Sequence, residues 1–99
     1  MDTLQVVAEP RRREILSLIW DDEMAASEIA AQFDVTFGAV SQHLTILREA
    51  ELVTVRKEGN HRLYAADRDA LAPYQAILES MWRDTLGRLA SSIEEDSTL

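Results

Sequence analysis

Apolar residues change their spacing several times along the chain, and each change marks an element. Leu4, Val6 and Val7 predict a short first helix. Glu9-Pro10 restarts it, because proline suits the first helical position, where its missing N–H is harmless. That second helix runs to about Trp20 and turns Ile15, Leu16, Leu18 and Ile19 inward. The acidic run Asp21-Asp22-Glu23 breaks the pattern. Helical spacing returns over Ala26 to Phe33 through Ile29, Ala30 and Phe33. A brief Asp34-Val35-Thr36 link follows, and Thr36 is placed to cap the next helix, Phe37 to about Ala50. So short a link forces the two helices to cross steeply, as in a helix-turn-helix.

Within the Phe37 helix, Val40, Leu44 and Leu47 obey the i, i+4, i+7 rule and define the inward stripe. At roughly 100° per residue the opposite side carries Gly38, Ser41, Gln42 and Thr45. These groups are short or polar and can meet a base edge. Gln42 can bond an adenine in the major groove, Ser41 can serve base or phosphate, and Gly38 lets the backbone come close. Phe37 can lay its ring on a thymine methyl. His43 stands at the edge of the apolar stripe, where phosphate contact and core-edge packing are both open.

Beyond Leu52 the period drops to about two. Val53, Val55, Leu63 and Tyr64 alternate with polar residues across Glu58-Gly59-Asn60, a sequence suited to positive φ. The expected product is a two-stranded hairpin with Arg56, Lys57, His61 and Arg62 near its tip, able to straddle a sugar-phosphate backbone. From Ala72 to Glu94 a helix is expected again, with Pro73 near its start and a stripe of Tyr74, Leu78, Met81, Trp82, Leu86, Leu89 and Ile93. A stripe that long and aromatic exceeds one small core, so it is expected to meet its twin in a second subunit, together with Leu4 and Val7 of the first helix. The tail from Glu94 to Thr98 is expected to fray.

The fold class is therefore mainly α with a small β-hairpin: a dimeric winged helix-turn-helix with a long C-terminal helix. One domain spans residues 1–99, with the helix-turn-helix over 26–50, the wing over 52–66 and the dimerisation helix over 72–94. No 18-residue apolar run and no basic start with a long apolar region occur, so no membrane role and a cytoplasmic location are expected.

Charge first argues against a nucleic-acid partner and then, by its distribution, for one. The 99 residues carry a formal charge of −8. From Phe37 to Ala66, however, Arg48, Arg56, Lys57 and Arg62 outnumber Glu49, Glu51 and Glu58, a balance of +1 that leaves −9 for the rest. Since lysine and arginine supply most non-specific affinity for DNA, such a chain should bind weakly unless two copies present their patches together. Arg11, Arg12 and Arg13 are expected to form an ordinary solvated helix face.

Competing chemistries find little support. There is no cysteine, which removes disulfides, iron-sulfur clusters and thiolate zinc. The two histidines, His43 and His61, both lie in the half expected to face DNA, so no metal site and no cofactor are expected. Ser41 and His43 point about 200° apart on their helix, which denies them a nucleophile and base pairing, and no enzyme is expected.

The motifs Glu9-Pro10-Arg11-Arg12, Val40-Ser41-Gln42-His43-Leu44, Leu47-Arg48-Glu49-Ala50, Leu52-Val53 and Gly59-Asn60-His61-Arg62-Leu63-Tyr64 together resemble the ArsR/SmtB family of winged-helix repressors. The resemblance covers nearly the whole chain. It implies a cytoplasmic homodimer on an imperfect inverted repeat of double-stranded promoter DNA, released by a signal, with Ser41 and Gln42 reading bases. The chain departs from the family's metal sensors, whose supporting-helix cysteines fall at Ala25 and Ser27. It departs again at Glu51, where the family usually has glycine. A non-glycine residue in the left-handed region costs about 1 kcal/mol, so a different helix end is expected there. Two other readings stand beside the repressor: a winged-helix module that binds a protein, and a repressor released by an unidentified small apolar effector near Trp82 and Met81 at the dimer seam.

Overall fold

A computed structural model describes residues 2–84. Helix α1, Thr3–Ala8, begins in a capping box: the Asp2 carboxylate accepts from Gln5 N, and the Gln5 side chain accepts from Asp2 N. Glu9 ends α1 in an extended conformation and caps α2, Pro10–Leu18, by accepting from Arg12 N at 2.9 Å. Val6, Val7, Ile15, Leu16 and Ile19 are all buried, so the two N-terminal helices supply one wall of the core. Leu18 is only half-buried.

The first departure from expectation follows the acidic loop. Met24–Ala25 form a short strand, β1, directly before α3, Ala26–Ala30. Strand β1 pairs antiparallel with β3, His61–Ala66, through Met24 with Tyr64 and Ala25 with Leu63. Strand β3 in turn pairs with β2, Val53–Glu58. The sheet therefore has three strands in the order β1-β3-β2 rather than two. Two residues show no periodicity, which is why the pattern could not announce β1.

Helix α4, Phe37–Glu49, starts where expected: the Thr36 hydroxyl accepts from Ala39 N at 3.1 Å. Val40, Leu44 and Leu47 are buried at its inner side. Its end corrects the expectation raised by Glu51. Glu51 takes φ +60°, its N–H donates to Arg48 O at 3.0 Å, and Leu52 N–H donates to Leu47 O at 3.0 Å. These two bonds make a Schellman ending without glycine, accompanied by the usual apolar contact at its base, where Leu47 and Leu52 are both buried. The chain accepts the left-handed cost because the closure delivers Leu52 and Val53 into the core.

The hairpin is as expected, with Glu58 opposite His61 and a two-residue loop in which only Gly59 has positive φ, at +60°. Beyond it, α5, Arg68–Leu71, was not foreseen. Asp67 caps it, accepting from Ala70 N, and a 3-10 turn over Ala72–Tyr74 follows. Helical structure resumes over residues 75–84. The expected continuation to Glu94, the frayed tail, and Leu86 and Leu89 lie outside the described residues. No helix among the described residues is long and apolar enough to cross a membrane.

The C-terminal stripe corrects another expectation. Leu78 is fully buried within the subunit, as is Val7. Tyr74 and Trp82 pack against the same core. Trp82 sets its ring edge-on to Trp20, centroids 5.3 Å apart at 69°, and its indole N–H donates to Arg13 O at 2.9 Å. Among the described residues of this stripe, Tyr74, Leu78 and Trp82 thus close the subunit's own core. Leu4 and Ile77 remain exposed, at 51% and 42%, and Ile77 had not been singled out.

Candidate nucleic-acid interface

Helix α4 presents the predicted outer face. Phe37 is 55% exposed. Gly38, Gln42 and Thr45 are exposed as well, and Ser41 is half-buried. The Thr45 hydroxyl donates to Ser41 O at 3.0 Å, and the exposed Gln42 amide has no side-chain hydrogen bond among the described residues. At Gly38 an added Cβ would come no nearer than 4.0 Å to any atom outside its own helical turn, the nearest being Thr36 Oγ1. Nothing inside the fold requires glycine there, although glycine weakens a helix.

Hairpin and helix converge. A groove of about 460 Å³ runs between them, bounded by Phe37 and Ser41 on α4, by Asn60, His61, Arg62 and Tyr64 on the wing, and by Ala25, Ala26 and Ser27 at the β1–α3 junction. The two pairing registers hold it open at a fixed geometry, because β1 leads straight into α3 while β3 carries the wing. Thr36, at the mouth of α4, is committed by its cap.

The basic residues of the wing divide by face. Strand alternation places Lys57 and Arg62, directly opposite one another, on the side of Val55 and Tyr64. Both are exposed, with no ion-pair partner among the described residues. Arg56 lies on the other face and is engaged with two carboxylates. Its Nε donates to both Glu23 carboxylate oxygens, at 2.8 and 3.0 Å, and its Nη2 donates to Glu23 Oε1 and, at 3.0 Å, to Glu58 Oε2. The hydrogen bond from Arg56 holds the Glu23 carboxyl below its ordinary range. The same bond raises the guanidinium's own pKa. Sequence reasoning missed Glu23 because 33 positions separate the partners.

His43 resolves toward packing and away from the DNA-facing set. Arg12, expected on a solvated face, is only 6% exposed. Its Nε donates to Val6 O at 2.8 Å and its Nη1 lies 3.2 Å from His43 Nδ1. A guanidinium has only donors, so Nδ1 accepts. Glu9 Oε2 stands 3.8 Å from the same nitrogen. His43 thus ties α4 to the α1–α2 junction, on the side away from Ser41. Arg11 pairs with Glu14 at 3.4 Å and stacks over Phe33 at 4.8 Å, while Arg68 joins Asp21 at 2.7 Å and the Trp20 carbonyl at 2.9 Å.

Near Met81 and Trp82 the subunit by itself holds a cavity of about 40 Å³ bounded also by Pro10, Arg13 and Glu14. That is room for about one water and far below the few hundred Å³ of an organic ligand site.

Comparison with known proteins converges on one family. The family described as "Bacterial regulatory protein, arsR family" matches residues 9–55. The HTH-type transcriptional regulator Rv2034 of Mycobacterium tuberculosis is 34% identical over 93% of this chain and 86% of its own. The transcriptional repressor SdpR of Bacillus subtilis is 30% identical over 71% of this chain and 78% of its own. Among solved structures, a possible transcriptional regulator for arsenical resistance superposes with a TM-score of 0.71 at 42% identity, covering 93% of this chain and 96% of that one.

Proposed function

The chain belongs to the arsR family of bacterial regulatory proteins, and on that footing we propose that it is a cytoplasmic transcriptional repressor that binds an inverted-repeat operator as a homodimer. Its work is recognition rather than catalysis. The single observation that carries the reading is the groove in which Phe37 and Ser41 of α4 face His61 and Arg62 of the wing. A reading helix and a backbone-gripping hairpin then address one duplex from two sides.

In this assignment Phe37, Gly38, Ser41, Gln42 and Thr45 enter the major groove, with Thr36 at its edge. Gly38, unexplained by any internal contact, lets the helix start approach the bases. Lys57, His61 and Arg62 hold the sugar-phosphate backbone. The helix-turn-helix over 26–50, the wing over 52–66 and the C-terminal helix from 72 divide the labour. Dimerisation draws on Leu4, Ile77 and Met81. Two copies place their reading helices in successive major grooves about 34 to 36 Å apart.

The acidic total favours this arrangement, since one subunit offers few cations and two together reach useful affinity. A gel-shift titration of the upstream promoter across salt concentrations tests it. Strong binding that depends on sequence and weakens with salt is expected. Binding to a protein partner with indifference to every duplex would overturn it in favour of an interaction module.

A further inference from the structure

We propose that Glu23 is a specificity-determining residue that works by restraint: it holds Arg56 away from the DNA backbone, so that base contacts supply a larger share of the binding. The proposal rests on the DNA-binding reading above.

The restraint is built across the sheet. Arg56 is paired with Leu63, and Leu63 with Ala25 of β1, so Arg56 and the residues just before Ala25 sit on opposite edges at one level. From there its guanidinium reaches Glu23 in a forked arrangement, with Nε and Nη2 both directed to the one carboxylate. Glu58, two residues along β2, takes Nη2 from the other side. One cation between two carboxylates leaves this face of the wing with a local charge of −1.

Exchange with a phosphate is opposed by what remains behind. If Arg56 left for the backbone, Glu23 and Glu58 would stand uncompensated in the field of the same phosphates, and like charges repel. The opposite face differs. Lys57 and Arg62 face each other across the strands, one position further on, with no carboxylate in ion-pair range among the described residues. Each hairpin therefore offers two cations of three. Fewer phosphate contacts mean weaker attachment to arbitrary DNA, because counterion release is blind to sequence, whereas contacts from Ser41 and Gln42 are unaffected.

The test is a salt series with the full-length protein and a mixed-sequence duplex, read by fluorescence anisotropy. Glu23→Gln should tighten binding and steepen the plot of log affinity against log salt by about 0.9 for each wing engaged, one phosphate contact apiece. Glu23→Gln introduced into an Arg56→Ala chain should do neither. Such non-additivity separates the release of Arg56 from the mere loss of a negative charge. An equal effect of Glu23→Gln in both backgrounds overturns the proposal. So does a slope that flattens by about 0.9 in Arg56→Ala alone, since Arg56 would then already grip the backbone. Arg62→Ala separates this failure from that of the function itself. If the parent protein binds no duplex and Arg62→Ala changes nothing, the DNA-binding reading fails and the restraint falls with it.

Discussion

Helix α4 and the wing both face the groove, yet they keep their polar groups in different states. On α4, among the described residues, the outer side chains are unengaged apart from a local bond within one turn, from the Thr45 hydroxyl to Ser41 O. On the wing, one of three cations is bound by a carboxylate from a distant loop. The helix presents what its own sequence puts there. What the hairpin presents is decided by β1, a strand that has only two residues of its own.

The largest effect that sharpens the contrast lies behind α4. Leu44 is fully enclosed, so Leu44→Ala should cost about 2 to 5 kcal/mol of stability by chemical denaturation. An exposed wing substitution such as Arg62→Ala should stay within about 0.5 kcal/mol in the same assay. Equal losses would mean that the hairpin is as integral to the core as the helix.

Next comes recognition. Gln42→Ala should weaken the cognate operator by about 1 to 3 kcal/mol and leave a scrambled duplex nearly unaffected. Unchanged discrimination in parallel binding titrations would break the division between a reading helix and a gripping wing. Arg62→Ala should do the converse, flattening the salt slope by about one unit per wing with discrimination preserved. The smallest effect belongs to the joint between the two regions. Relieving the left-handed strain through Glu51→Gly should raise stability by about 0.5 to 1 kcal/mol, read as a higher denaturation midpoint at constant slope.

These regions also differ in how much of them could be read in advance. Local rules placed α4 and the hairpin turn: the Thr36 cap, the Val40, Leu44 and Leu47 stripe, and the Gly59 turn each involve neighbours within a few positions. Arg12 looked like one member of a solvated arginine run, because nothing near it in sequence reveals that Val6 O and His43 await it. Arg56 looked available for the same reason. The stripe through Leu78 and Trp82 was correctly apolar, but periodicity says that a face is covered and not by what. Here Trp20 and the Arg13 carbonyl cover it from inside the subunit. The candidate site was thus legible in its helical half and its turn. Its electrostatics were not, since charge pairing depends on partners brought together only by the folded sheet.

The splice between β1 and β3 has one more consequence. Because Met24 and Ala25 are hydrogen-bonded to Tyr64 and Leu63 immediately before α3 begins, the span from finger to thumb is a built-in gauge, like the jaws of a locked caliper. Opening those jaws would mean unzipping main-chain rungs rather than swinging a loose hinge.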